Sequence, residues 1–108
     1  SGSIGPWIVT GDEVGDPSRL HLTTRVNGER RQSSGLDRLI FGIPRVISYI
    51  SGFTELRPGD VIATGTPPGA GFTLDPKRWL ESGDTVEIDI PGVGLLRNPV
   101  AAEGERET

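Results

Sequence analysis

The sequence predicts a mostly β fold of short strands with one main α-helix, and three observations carry that prediction. Sixteen glycines and nine prolines in 108 residues cut the chain into short segments, which suits strands and turns better than a helical bundle. Two segments, 20–26 and 85–90, alternate apolar and polar residues with a period of two. Helical spacing occurs convincingly once, where Ile43, Val46, Ile47 and Ile50 follow the i, i+3, i+4, i+7 rule.

Taken in order, Ser1 to Ser3 read as a flexible start. Gly5-Pro6 then leads into Trp7-Ile8-Val9-Thr10, a short strand candidate. Gly11 to Arg19 is a polar loop; its Asp12, Glu13 and Asp16 lack the alternating ligands and closing glutamate of a calcium loop, so it reads as a solvated turn. Between 20 and 26, Leu20, Leu22, Thr24 and Val26 share one face, with His21, Thr23 and Arg25 on the other. Asn27-Gly28 supplies a two-residue hairpin turn that needs positive φ, and Glu29 to Gln32 returns. His21, the single histidine, falls on the polar face without catalytic partners, so a structural role is expected.

Ser33 to Arg38 reads as a loop, with Asp37 and Arg38 as a local ion pair. Leu39-Ile40-Phe41 is apolar, and the helix begins near Gly42, with Pro44 in its first turn and Gly52 at its stop. A single apolar stripe requires the helix to pack on a sheet. Leu56-Arg57-Pro58-Gly59-Asp60-Val61 and Leu80-Glu81-Ser82-Gly83-Asp84-Thr85 then echo one another, each a turn whose Gly-Asp pair delivers the chain into a strand. Pro91-Gly92 turns the chain between Thr85–Ile90 and a last strand from Val93 to Val100. Ala101 to Thr108 is polar and reads as a disordered tail on a single domain, 1–108.

Composition excludes several function classes. A formal charge of −4 without a Lys/Arg run argues against nucleic acid. Cysteine is absent, which removes disulfides, zinc knuckles and thiol nucleophiles and is compatible with the cytoplasm. Apolar runs are only a few residues long, so no membrane span or signal peptide is expected in this sequence. Chemistry concentrates instead in Gly59 to Gly71, GDVIATGTPPGAG, where Val61-Ile62-Ala63 reads as a strand stopped by Thr64, Gly65, Thr66, Pro67, Pro68 and three more small residues. Such a tip is either an elaborate turn or a set of backbone N–H groups and hydroxyls presented to an anion. A nucleotide-phosphate loop is excluded, because no Lys-Ser/Thr and no helix pattern follow GTPPGAG.

GPWIVT, RVNGERRQ, the LIF-to-ISYIS helix, LRPGDVIATGTPPGAG and SGDTVEIDIPGVGLLRNPV, in that order, resemble the C-terminal half of the fumarylacetoacetate hydrolase family's catalytic domain, from about Gly5 to Val100. The resemblance implies a mixed β-roll or sandwich and a chain that is one partial domain. It implies a metal-dependent parent enzyme that cleaves, decarboxylates, isomerises or hydrates small 2-oxo or 1,3-dioxo acids with Mg²⁺ or Mn²⁺. Such a cation suits this chemistry, because breaking a C–C bond beside a carbonyl builds negative charge on oxygen. By resemblance Thr66 contacts the oxo-acid substrate, Gly65 and Pro67 shape the loop, and Thr64 ends the strand.

The family's metal ligands (a Glu-x-Glu pair and an aspartate) and its Glu–His proton-transfer pair belong before the GPW motif. No metal is therefore expected on this chain alone, no catalytic residue is assigned, and the isolated chain is expected to be inactive. Glu87-x-Asp89 imitates a metal pair, yet its context matches the family's last hairpin, which implies a structural role. Gly35-Leu36-Asp37-Arg38 departs from the Asn-Thr-Ser-Asp common in relatives. Further partners implied are the missing N-terminal half of the domain, or another chain, and copies of the protein in a homo-oligomer. The alternative is a non-catalytic β scaffold or partner-binding module derived from the family, since an uncovered helix face and strand edges call for a partner surface in either case.

Overall fold

The computed structural model describes residues 2–105. Its centre is a four-stranded sheet, antiparallel throughout, in the order β2-β1-β3-β4. The strands are β1 (His21–Val26), β2 (Glu29–Gly35), β3 (Thr85–Ile90) and β4 (Gly94–Pro99). The β1–β2 hairpin closes at Asn27 and Gly28, with φ of 52° and 81°, the paired positive values of the tight turn that matches strand twist. Strand β2 runs three residues beyond the expected Gln32, because Ser33, Ser34 and Gly35 pair with Thr23, Leu22 and His21. It also carries a bulge: Thr24 faces Gln32 and Arg25 faces Arg30, which leaves Arg31 as the extra residue.

One face of the sheet collects Leu22, Thr24 and Val26 from β1 with Val86 and Ile88 from β3, and Thr24 and Val26 are its buried centre. The opposite face is ionic. Arg25 Nη2 lies 3.5 Å from Glu87 Oε2 and 3.4 Å from Asp89 Oδ2, so one guanidinium spans the two carboxylates that imitate a metal pair. His21 Nε2 lies 2.7 Å from Ser33 Oγ across the hairpin.

The echoed turns are the same device twice. Asp60 Oδ2 accepts from the Arg57 N–H and Asp84 Oδ2 from the Glu81 N–H, each at 2.8 Å. The second turn delivers β3; the first delivers no strand. Val61-Ile62-Ala63 is unpaired, because neither edge of the sheet accepts it among the described residues. Trp7 to Thr10 forms no strand either. Trp7 instead lays its ring over Gly94, where a Cβ would meet ring carbons at 3.1–3.2 Å, and donates from Nε1 to Val93 O at 2.6 Å.

The expected polar loop 11–19 contains the single helical turn α1 (Gly11–Val14) and a tighter turn at Pro17–Arg19, capped by Asp16. The main helix, α2 (Ile43–Ser51), starts and stops where the pattern places it, with Pro44 in the first turn. It does not pack closely on the sheet: none of its residues is buried, and Ile47 and Tyr49 are exposed. Edge-to-face stacking of Tyr49 on Phe53 at 5.5 Å covers part of its end. At the C-terminus, Glu105 N–H donates to Ala102 O and its carboxylate accepts from Ser82 Oγ, so residues 102–105 form a turn. The rest of the expected disordered tail, 106–108, lies outside the described residues, as does Ser1 of the expected flexible start.

Candidate functional site

Thr64, Gly65, Thr66 and Pro67 lie together along one side of a cleft of ≈ 370 Å³. Across from them stand Ser34 at the end of β2, Arg38, and the apolar Leu39, Ile40 and Phe41 that lead into α2. The loop is extended and irregular, so its own hydrogen bonds do not consume its donors. Among the described residues, the N–H groups of Thr64, Gly65 and Thr66 have no acceptor. Two further groups suit an anion. Thr66 is solvent-exposed and lines the cleft, and Arg38 pairs with no carboxylate among the described residues. The ion pair expected between Asp37 and Arg38 does not form; Asp37 turns its carboxylate back toward Gly35, away from its neighbour's guanidinium.

The sheet fixes this loop rather than the loop's own pairing. Gln32 Nε2 donates to Thr66 Oγ1 at 2.7 Å and to Pro67 O at 2.8 Å. Two residues further on, Gly69 (φ +114°) passes so close to the bulge that a Cβ there would stand 3.0 Å from the Arg31 carbonyl carbon and 3.2 Å from Gln32 Cγ. On the far side of Thr66 a smaller cleft of ≈ 190 Å³ is bounded by Thr24, Arg31, Gln32 and Arg78. Its arginines are already engaged. Arg78 grips Glu29 with both guanidinium nitrogens, at 2.6 and 3.2 Å, and Arg31 Nε lies 3.2 Å from the same carboxylate, an ion-pair distance without hydrogen-bond geometry. The bond from Arg78 holds the Glu29 carboxyl below the usual carboxylate range, and Glu29 in turn raises Arg78. The larger cleft is therefore the one with an open cation.

Sequence reasoning found the loop but missed Gln32 and Arg38. Arg38 falls in a segment whose sequence reads as a loop, and only the fold brings it to the cleft that Thr66 lines. Gln32 ends the return strand, and regular alternation from the Asn27-Gly28 turn assigns it to the other face of the sheet.

The described residues do not form a cage for a divalent ion: no group of three His, Asp or Glu side chains converges among them. Glu87 and Asp89 are on the ionic face, bridged by Arg25.

The chain matches the family model described as fumarylacetoacetate (FAA) hydrolase C-terminal over residues 1–101. Among curated proteins it is 43% identical, over 91% of its own length, to 2,4-didehydro-3-deoxy-L-rhamnonate hydrolase of Sphingomonas sp. strain SKA58, covering 35% of that protein. It is equally 43% identical, over 90% of its length and 31% of the relative's, to a mitochondrial oxaloacetate tautomerase of Bos taurus. Among solved structures, fumarylacetoacetate hydrolase from psychrophilic Exiguobacterium antarcticum aligns with a TM-score of 0.85 at 43% identity, over 92% of this chain and 35% of that one. Maleylpyruvate hydrolase from Sphingobium sp. SYK-6, solved in complex with manganese(II) ion and pyruvate, aligns with a TM-score of 0.81 at 39% identity, over 90% and 34%. The chain thus spans about a third of the length of the relatives it matches.

Proposed function

This chain belongs to the fumarylacetoacetate hydrolase family, as its C-terminal part, and on that premise we propose that it is one portion of a divalent-metal-dependent enzyme acting on small 2-oxo or 1,3-dioxo acids. The observation that carries the reading is the convergence of Thr64, Gly65, Thr66 and Pro67 on one cleft, with free N–H groups and Arg38 at its rim. In this reading Thr66 donates its hydroxyl to a substrate carboxylate, and Arg38 holds negative charge at the opposite wall. Leu39 and Phe41 offer apolar surface beside the reacting carbons. Gly65 and Pro67 shape the loop, and Thr64 adds a second hydroxyl. Anchoring one end of a small acid fixes its orientation before reaction, which is the contribution asked of these residues.

A Mg²⁺ or Mn²⁺ does not fit the residues described here, so its ligands come from polypeptide beyond them. The manganese complex of the related maleylpyruvate hydrolase supports a divalent ion in the parent. The uncovered apolar side chains of Ile40, Tyr49 and Phe53, which are 91%, 74% and 69% exposed, favour a covering surface. That surface comes from the remainder of the domain or from a second copy in a cytoplasmic homo-oligomer. The same exposure also favours the second reading, a scaffold that binds a partner and performs no chemistry. Spectrophotometric assay of the intact protein with acylpyruvates and oxaloacetate, with and without Mn²⁺, separates the two. Metal-dependent turnover that Thr66→Val lowers, while residues 1–108 alone stay inactive, is the expected result. No turnover of any of these acids, or a Thr66→Val variant equal to wild type, overturns the enzymatic reading.

A further inference from the structure

Gln32 does more than tether the loop: its contacts make Thr66 Oγ1 the acceptor of their shared hydrogen bond. The atom of Gln32 that lies 2.8 Å from Pro67 O must be the amide nitrogen, because a peptide carbonyl oxygen only accepts. The two-fold ambiguity of a glutamine amide is thereby removed. Of the two amide hydrogens, Pro67 O takes one, and the other faces Thr66 Oγ1 at 2.7 Å. Thr66 is thus the acceptor in that pair. A hydroxyl has one proton and two lone pairs, so its proton is left for some other partner. Among the described residues nothing receives it, and Thr66 is exposed at the cleft.

We propose that Gln32 is a positioning residue that occupies a lone pair of Thr66 Oγ1 and leaves its proton for the ligand, which favours an anionic oxygen there. The inference rests on the reading of Thr66 as a carboxylate contact. It adds that a residue outside the cleft's own loop sets the sign of that contact. Replacing the amide by a carboxylate would reverse the sign: an acceptor at position 32 draws the Thr66 proton to itself and repels both Pro67 O and an incoming anion.

The test is a double-mutant cycle on the intact, Mn²⁺-loaded protein, with oxalate as the probe and its Kd read by calorimetry. Gln32→Ala and Thr66→Val are each expected to weaken oxalate about tenfold, the scale of one hydrogen bond to a charged group. The double variant is expected to bind no more weakly than Thr66→Val, because Gln32 acts through Thr66. An equal further loss on the Thr66→Val background, or a Gln32→Ala variant with wild-type affinity, overturns the inference while leaving the functional reading intact. Wild-type protein that binds no oxalate overturns both. Should Gln32→Ala fail to fold, Gln32→Glu provides the comparison. It is expected to bind weakly at neutral pH and to regain affinity relative to wild type as acidification protonates the introduced carboxyl; no such recovery overturns the inference.

Discussion

Gly69→Ala places one carbon where the Thr66 loop crosses the bulge of β2, and two separate costs meet there. The backbone at Gly69 has φ +114°, a region that costs a residue with a side chain about 1–3 kcal/mol. The new Cβ also falls inside the contact radius of the Arg31 carbonyl oxygen, 3.0 Å from the Arg31 carbon. Because the obstacle is backbone of a paired strand, the loop has to withdraw. Withdrawal stretches the Gln32 bonds to Thr66 and Pro67, now 2.7 and 2.8 Å, each worth about 0.5–1.5 kcal/mol. The sum is about 2–6 kcal/mol, equivalent to a fall in Tm of at least about 8 °C for a domain of this size. Two controls separate the terms. Gly65→Ala carries a comparable φ of +99° with open space around the added carbon, so it is expected to cost only the backbone part. Gly71→Ala meets the Arg78 carbonyl at a backbone angle any residue adopts, and so isolates the steric part. Thermal unfolding followed by circular dichroism reads all three. A Gly69→Ala variant that melts with wild type, or no lower than Gly65→Ala, refutes the idea that this crossing ties the loop to the sheet.

Three other outcomes follow from contacts elsewhere. Arg25→Ala leaves Asp89 unpaired beside Glu87, which keeps only Arg97 at 4.0 Å, and urea unfolding should show a loss of about 1 kcal/mol that shrinks at high salt. The Asp84 carboxyl is held below its usual range first by the Glu81 N–H and then by the Asn27 amide. A depressed folded value means stability that is present above the ordinary pKa and is lost as pH falls through the folded one. The urea midpoint should therefore drop on acidification below about pH 4, and less steeply in Asp84→Asn. Arg38→Glu should weaken oxalate binding most at low ionic strength while leaving Tm unchanged, since Arg38 pairs with no carboxylate among the described residues.

What the sequence made legible was local. Asn27-Gly28 fixes its turn by the φ values only such residues accept, and the twin Gly-Asp turns close on Asp60 and Asp84 as their chemistry demands. The apolar stripe of α2 likewise locates that helix between Gly42 and Gly52. Pairing was less legible. Val61-Ile62-Ala63 and Trp7 to Thr10 have strand-like composition, yet a strand exists only where another edge accepts it, and neither segment finds one among the described residues. The packing of α2 failed for a related reason: amphipathicity shows that a face wants cover without naming what covers it.

Gln32 is the most instructive omission, because period-two reasoning sends it the wrong way. A hairpin closing at Asn27-Gly28 without irregularity would set Gln32 opposite Thr23, on the ionic face. The bulge at Arg31 shifts it opposite Thr24, onto the buried face, where it reaches the loop. The same bulge turns the Arg31 carbonyl toward Gly69. With Arg31 in β2, the bulge thus supplies both the amide that bonds Thr66 and the surface against which its loop is pressed. The loop has no pairing of its own to keep it in place; deleting Arg31 would close a regular ladder that still sets Gln32 opposite Thr24, so Thr66 should keep its amide partner and the loop should lose only the carbonyl on which Gly69 rests.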